Sequence, residues 1–515
     1  MSLQSAHLQP GHADPQGNHA APSPPSIGEP LCVDLDGTLV KSDTLLDSVI
    51  VLARQSPLSL LRFPGWILQG KAALKRNVSS VVAIDVVHLP YNQPLLQYLR
   101  QQHAAGREIF LTTGADILLA ERVAEHLGIF AGTLASDGSL NLTGHNKLAA
   151  FQQRFPAGFS YIGNDRRDLP LLTHCLDPML ANPHRSLRAS LRSAGVQPTH
   201  TFTDATPPFK AWLRAIRLHQ WAKNTLIFLP LLLAHVRAVG PVVAALLAFL
   251  SFGMAASATY IFNDLLDLEA DRHHPRKHIR PFAAGDLSPI AGTAIILIFL
   301  VLSLTLALLL PRVLTELSPQ FPSNGQGRFI EWLGLYAIST TAYSLRLKRM
   351  VLVDVMVLAC LYTIRILAGS AAAGVMISPW LAAFSIFFFL SLAFVKRFSE
   401  LESMSLRSEV SGPITIKGRG YRVSDLEQMR SFGTASGYAS VVVFALYIGN
   451  EVAKNLYLHN ARLWLLVPVL LLWLSRLWLK ASRGELEEDP VIYAITDKRS
   501  LQLGVVVLAI VLLAL

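Results

Sequence analysis

Residues 260–281 read YIFNDLLDLEADRHHPRKHIRP and follow an apolar run at 241–262. A bilayer-spanning helix needs roughly 17–25 apolar residues, so the acidic stretch stands at the end of a span. At about 100° per residue, Asn263, Asp264, Asp267 and Asp271 fall on one narrow helical face, whereas Leu265, Leu266 and Glu269 point elsewhere. Three carboxylates crowded at low dielectric repel one another and take up protons unless a cation lies among them. A divalent metal is the economical answer. An all-oxygen ligand set selects Mg2+, an ion that keeps waters and bridges to substrate phosphates. Asn263, Asp264, Asp267 and Asp271 are therefore expected to hold Mg2+, with Arg272, His273, Lys277 and Arg280 balancing the rest of an anionic substrate. The bland alternative, a solvated loop of mixed charge, is disfavoured by the spacing and by the position at a span's end.

Of the 515 residues, 52% are hydrophobic and 16% charged, and the mean hydropathy is +0.40, too apolar for a water-soluble chain. The apolar surplus begins near residue 205. About nine spans are expected, near 225–239, 241–262, 289–310, 329–345, 351–373, 378–395, 434–455, 462–480 and 501–515. Charged residues collect between alternate spans, at 264–286, 346–349, 396–430 and 476–499. The opposite loops carry few, such as Arg237, Arg312 and Lys454, which puts the charged loops and the N-terminal half on the cytoplasmic side of a bacterial inner or plasma membrane. The net charge of +10 belongs to those loops; the basic residues flank spans without forming one patch, which excludes a nucleic-acid partner. Cys32, Cys175 and Cys360 lie far apart and give no disulfide framework or thiolate metal site. Residues 1–29, rich in Pro, Gly, His and Ser, read as a disordered tail.

In the N-terminal half, residues 31–40, LCVDLDGTLV, form a short apolar strand that ends in Asp34 and Asp36. Open α/β sheets bind ligands at strand C-terminal ends, and alternation turns both carboxylates to one side. Such a pair suits one nucleophile and one acid/base. The strand-end pattern recurs: EIFLTTG (108–114) delivers Thr113, GHNKLAAF (144–151) supplies Lys147 ahead of a helix, and FSYIGNDRRDLPLL (159–172) opens into Asn164, Asp165 and Asp168.

DxDGT, a strand-end Thr, a Lys and an acidic strand end, in that order, resemble the haloacid dehalogenase (HAD) superfamily over about 170 residues. The resemblance implies a Rossmann-like α/β domain over 30–199 with a helical cap at about 41–97. It implies that Asp34 attacks phosphorus and that Asp36 protonates the leaving alcohol, with Thr113 and Lys147 holding phosphoryl oxygens. Mg2+ would be shared by Asp34, the Asp36 carbonyl and the cluster Asn164, Asp165, Asp168. Asn164 stands where the family often has Asp, leaving Asp165 or Asp168 as the acidic ligand. A retired phosphatase kept as a tether is the alternative. The inserted helices are basic and partly aromatic, and Phe63, Trp66 and Lys71 face either a membrane-borne substrate or ordinary core and solvent.

After a linker at 200–210, AWLRAIRLHQWAKN (211–224) alternates apolar and basic residues as an interfacial helix does. NDxxDxxxD at the end of the second span, followed by HPxKxxRP, resembles the UbiA prenyltransferase superfamily over about 211–515 and implies an all-α membrane domain of that type. The second Asp-rich motif usual in its aromatic prenyltransferases is missing. In its place stand YSLRLKRMVLVDV (343–355), with Tyr343, Lys348 and Asp354, then Arg365, then FVKRFSELES (394–403), with Lys396 and Arg397. An intramembrane Arg365 is either a functional residue or the ion-pair partner of Asp354 or another carboxylate.

Together with RLHQWAKN (217–224), which contributes Lys223 and Asn224, these motifs look like one branch, the decaprenyl-phosphate phosphoribosyltransferases. That branch implies phosphoribosyl diphosphate as donor, a polyprenyl phosphate as acceptor, and substrate contacts at Lys223, Asn224, Arg272, Lys277, Arg280, Tyr343, Lys348, Asp354, Arg365, Lys396 and Arg397. An ionised phosphate acceptor needs no general base, in keeping with the missing motif. The competing readings are transfer from a polyprenyl diphosphate to an aromatic or other small acceptor of the 4-hydroxybenzoate type, and a non-catalytic lipid-binding scaffold.

Overall fold

The computed structural model describes residues 28–137, 141–319, 326–405, 420–486 and 490–515. The chain divides into two compact units, Met1–Ala205 and Thr206–Leu515.

In the first unit, β1 (Leu31–Asp34), β2 (Ile109–Asp116), β3 (Gly132–Ser136), β4 (Ser160–Gly163), β5 (Asp177–Ala181) and β6 (His200–Phe202) form one parallel sheet in the order β3-β2-β1-β4-β5-β6. β1 lies between β2 and β4, with Leu31 opposite Ile109 and Ser160. Strand alternation splits the apolar residues between two cores. Leu31, Val33, Ile109, Leu111 and Ile162 enter one, while Cys32, Phe110, Tyr161 and Leu180 enter the other. Burial pushes the Cys32 thiol up to about 12, which leaves it an inert packing group.

The helices of this unit are α1 (Thr44–Gln55), α2 (Phe63–Leu68), α3 (Lys71–Val81), α4 (Gln93–Ala104), α5 (Ile117–Leu127), α6 (His145–Arg154), α7 (Leu169–Leu172) and α8 (Arg185–Ser193). Asp43 caps α1 and Asp116 caps α5, each accepting amide hydrogens of the first turn. α1 to α3 form an insertion directly after the β1 turn, whereas α4 is the crossover that returns the chain to β2. β1 ends at Asp34, and Asp36 lies beyond it in a turn bridged to Val40, so Asp34 alone of the two carboxylates belongs to the strand.

The second unit begins with α9 (Pro208–Ile216), a 3₁₀ stretch at Leu218–Phe228 and α10 (Leu229–Leu233). Then follow α11 (Val239–Leu266), α12 (Leu268–Arg272), α13 (Pro289–Leu317), α14 (Gln326–Leu345), α15 (Val353–Ala373), α16 (Pro379–Ser405), α17 (Leu426–Gly449), α18 (Glu451–Leu456), α19 (Leu466–Ser482), α20 (Pro490–Thr496) and α21 (Lys498–Ala514). Among the described residues six helical stretches are long and apolar enough to cross a membrane: Val239–Leu266, Pro289–Leu317, Val353–Ala373, Pro379–Ser403, Val423–Gly449 and Asn460–Ser482.

Of the nine spans expected, six stretches among the described residues qualify by length and composition. The segment 225–239 is the end of the 3₁₀ stretch plus the five-residue α10, and it is interrupted by Pro230. The segments 329–345 and 501–515 fall within α14 and α21, of 20 and 17 residues, which are not among those six. Small residues bring the spans together. Ser251 on α11 and Ser303 on α13 each donate to the other's carbonyl, at 2.9 and 2.8 Å. A Cβ at Gly369 of α15 would lie 2.1 Å from the Ile227 carbonyl oxygen, so only glycine permits that approach.

Candidate active sites

In the α/β unit, Lys147 of α6 donates from Nζ to Asp34 Oδ1 at 2.7 Å and to Tyr161 Oη at 2.8 Å. Tyr161 Oη donates to Asp168 Oδ1 at 2.8 Å, and Asp168 Oδ2 accepts the amides of Asn164 and Asp165 at 3.0 and 3.1 Å. Asp168 thus orients a chain that ends on Asp34. Asp165 caps its own turn by accepting the Arg167 amide, and the Asn164 side chain packs where Gly37, at φ +74°, leaves room. Thr113 of β2 is buried, its Oγ1 accepting the Ala115 amide. Asp36 Oδ1 accepts from the amide and hydroxyl of Thr44, the first residue of α1, at 2.8 and 2.7 Å.

Burial pushes the Asp34 carboxyl up to about 6 against the pull of Lys147. Burial, reinforced by Asp43, pushes Asp36 up to about 7. From the insertion, Lys75 of α3 donates to the Gly114 carbonyl and to Asn141 Oδ1, the second at 2.9 Å, so the inserted helix reaches the strand ends. Lys75 has no local motif to reveal it, because its partners lie 39 and 66 residues away.

In the helical unit, α11 stops at Leu266 and Asp267 forms the joint to α12. The single helical face expected for the acidic set is accordingly bent into two. Asp264 Oδ1 and Asp271 Oδ2 both accept from Arg280 Nη1, at 3.1 and 2.6 Å, and Asp264 also accepts from Arg217. Asp267 instead pairs with Lys348 at 3.2 Å, and Asn263 donates to Ser344 Oγ at 2.7 Å. Burial raises the Asp271 pKa, and Arg280 pulls it back. Arg217, at φ 55°, is a non-glycine residue in the left-handed region; its guanidinium lies 5.0 Å from the Tyr260 ring centroid. Arg272 turns away, donating to the Ala283 carbonyl at 3.1 Å, while Lys277 stays near enough to lower the Asp271 pKa.

Arg365 is buried and its Nε donates to Asn224 Oδ1 at 2.9 Å, with further bonds to the Leu361 carbonyl and, at 3.2 Å, to Tyr336 Oη. Its guanidinium lies 4.8 and 5.6 Å from the rings of Tyr336 and Tyr362, and Lys223 Nζ is 5.8 Å from Tyr362. Asp354 is not its partner. That carboxylate is held by Arg397 Nε at 2.6 Å and by Tyr421 Oη. Arg397 also reaches Glu400 at 2.7 Å and Tyr343 Oη at 2.8 Å, with half-buried Lys396 beside it on α16. Acidic and basic side chains therefore alternate at the end of α11, and deeper in the unit a guanidinium sits among aromatic rings with no carboxylate partner among the described residues.

The family model for the UbiA prenyltransferase family matches residues 225–492, over half of the chain. The chain belongs to the UbiA prenyltransferase family. As a UbiA-family transferase with six span-length helices it is an integral membrane protein. An uncharacterized protein, y4nM of Sinorhizobium fredii, is 38% identical over 490 residues, covering 94% of this chain and 91% of its own length, so it parallels both units. Nodulation protein NoeC of Azorhizobium caulinodans is 34% identical over 299 residues, 57% of this chain and 90% of its own length. The decaprenyl-phosphate phosphoribosyltransferase of Corynebacterium glutamicum is 31% identical over 195 residues, 37% of this chain; the match spans about half, 54%, of that enzyme.

Several residues at the UbiA site escaped motif reading. Arg217, Tyr336, Ser344 and Tyr421 reach their partners across 47, 29, 81 and 67 residues of sequence. Of these, Arg217 alone carried a signal, as one of the basic residues in the amphipathic stretch ahead of the spans.

Proposed function

We propose that the membrane unit transfers 5-phosphoribose from phosphoribosyl diphosphate to a polyprenyl phosphate, and that the α/β unit removes the 5-phosphate from the product. The observation that carries the transfer reading is the convergence of Asp264 and Asp271 on the single Arg280 nitrogen, with Lys348 on Asp267 beside them. Two carboxylates drawn to one cation-bearing point fit a divalent metal, and the alternating basic groups fit the diphosphate that would accompany it. Asn263, Asp264, Asp267 and Asp271 would hold Mg2+. Bound there with the donor, the ion offsets negative charge that builds on the departing diphosphate.

Arg217, Arg280 and Lys348 are placed to take the diphosphate oxygens once the carboxylates turn to the metal. One lipid phosphate oxygen forms its bond to the anomeric carbon as the carbon–oxygen bond to diphosphate breaks, and the ionised acceptor gives up no proton. Arg365, fixed by Asn224 and free of a carboxylate partner among the described residues, supplies a buried anion contact suited to the phosphate of the lipid. The resemblance to decaprenyl-phosphate phosphoribosyltransferase supports the same choice.

In the α/β unit, a phosphatase of HAD type suits the geometry. Asp34 attacks phosphorus as the bond to the ester oxygen breaks, and Lys147 balances the charge. Asp36, poised near neutrality, protonates the leaving alkoxide and then takes a proton from the water whose oxygen bonds to phosphorus as the phosphorus–oxygen bond to Asp34 breaks. Mg2+ would sit on Asp34, the Asp36 carbonyl and the Asn164–Asp165 turn, since Asp168 is occupied in orienting Tyr161. Both sites would face the cytoplasm, where the charged loops collect.

The test offers purified protein with Mg2+ either phosphoribosyl diphosphate and polyprenyl phosphate, or polyprenyl diphosphate and 4-hydroxybenzoate. Product in the first mixture is expected; product in the second alone would replace this reading with aromatic prenyl transfer. Phosphate release from the phosphoribosylated lipid should vanish in Asp34→Asn, and equal release by that variant and the wild type would refute the phosphatase role.

A further inference from the structure

Between Ser48 and Ile84 the chain carries no Asp or Glu and five basic residues, Arg54, Arg62, Lys71, Lys75 and Arg76. This is the helical insertion. Leu60, Phe63 and Trp66 turn toward the sheet and pack on its core. Leu58, Leu61, Ile67 and Leu68 turn away and are 78, 79, 57 and 88% exposed. A row of large apolar side chains left in water over two turns is costly unless something covers it.

We propose that this stripe docks on the surface of the lipid bilayer. Two observations select lipid over a protein partner. The inserted segment is basic and carries no carboxylate of its own, with Arg54, Arg62 and Lys71 exposed, which complements anionic headgroups. The same chain carries six span-length helices, so the bilayer is always within its tether. The short pieces Pro57–Arg62 and α2, broken by prolines, suit a segment lying flat at the headgroup boundary. Lys75 and Arg76 are spent elsewhere, on Gly114 and Asp116. One element thus meets lipid on one side and, through Lys75, reaches the strand end at Gly114 on the other. The docking stands apart from the reaction proposed above and is tested without it.

The full chain, with Cys32, Cys175 and Cys360 replaced by Ala, is labelled with an environment-sensitive fluorophore at Leu68→Cys or, as control, at Gln101→Cys on exposed α4, and reconstituted in phosphatidylglycerol-containing vesicles. The expected result is blue-shifted emission at position 68 that doxyl-labelled lipid quenches several-fold more than at position 101. Quenching should weaken in zwitterionic vesicles and in Leu58→Glu/Leu61→Glu. Equal quenching at the two positions would overturn the proposal, as would a blue shift at position 68 that doxyl lipid does not quench, the signature of a protein cover such as a second copy.

Discussion

Arg397 Nε donates to Asp354 Oδ2 at 2.6 Å with both side chains withdrawn from the surface, and Tyr421 Oη holds the other carboxylate oxygen. The pair ties α15 to α16 and to the backbone at Leu352, whose amide donates to Tyr421 Oη at 3.0 Å. Removing one partner leaves the other charge buried and uncompensated. Arg397→Ala and Asp354→Asn should each cost about 3–5 kcal/mol, and Asp354→Leu/Arg397→Met should recover most of the loss. Thermal unfolding in detergent measures this; single variants as stable as the wild type would show that the pair does not hold the fold.

Gly369→Ala places a methyl group against the Ile227 backbone. Backbone cannot swing aside as a side chain can, so the expected loss is about 3 kcal/mol or more. Gly334, with open space around its Cβ position, is the control: Gly334→Ala should be neutral or slightly stabilising in the same unfolding experiment.

Asp267 and Glu269 are two residues apart, yet only Asp267 meets a basic partner of the site, Lys348. Asp267→Asn should lower transfer at least about a hundredfold, while Glu269→Gln stays near wild type. Comparable losses in both would remove Asp267 from the metal and diphosphate site.

Arg365→Lys keeps the charge and loses the fork that engages Asn224 and Tyr336 together. Transfer should fall about tenfold or more, mainly through KM for the lipid phosphate, with the unfolding temperature little changed. A loss confined to stability would make Arg365 a packing residue.

Burial holds the Lys75 amine below the ordinary lysine range, because the ammonium is the form that loses hydration. Nuclear magnetic resonance of reductively 13C-methylated protein should show one dimethyl-lysine signal titrating below about 10.4, absent in Lys75→Met. If no signal shows that shift, Lys75 is not held against the strand ends.

The parallel sheet was legible because strand alternation in LCVDLDG and YIG writes the two cores directly into sequence. The acidic end of α11 was legible for a similar reason, since charge at a span's end stands out against apolar surroundings. Its bend was not. Helical periodicity assumes a continuous helix, and the joint at Asp267 divides the set between Arg280 and Lys348. The count of spans is met for six helices only, and one departure has a visible cause: 225–239 is apolar but contains Pro230 and follows buried Asn224, whose side-chain oxygen accepts from Arg365. Contacts such as Arg217 with Asp264 join residues that no local pattern links.

The strand order β3-β2-β1-β4-β5-β6 has a bearing on biosynthesis. The last strand made, His200–Phe202, is also an edge of the sheet, and the first span-length helix begins only at Val239. A nascent chain can therefore close its α/β unit while most of the membrane unit is still untranslated, since among the described residues no strand of the sheet comes from beyond Phe202.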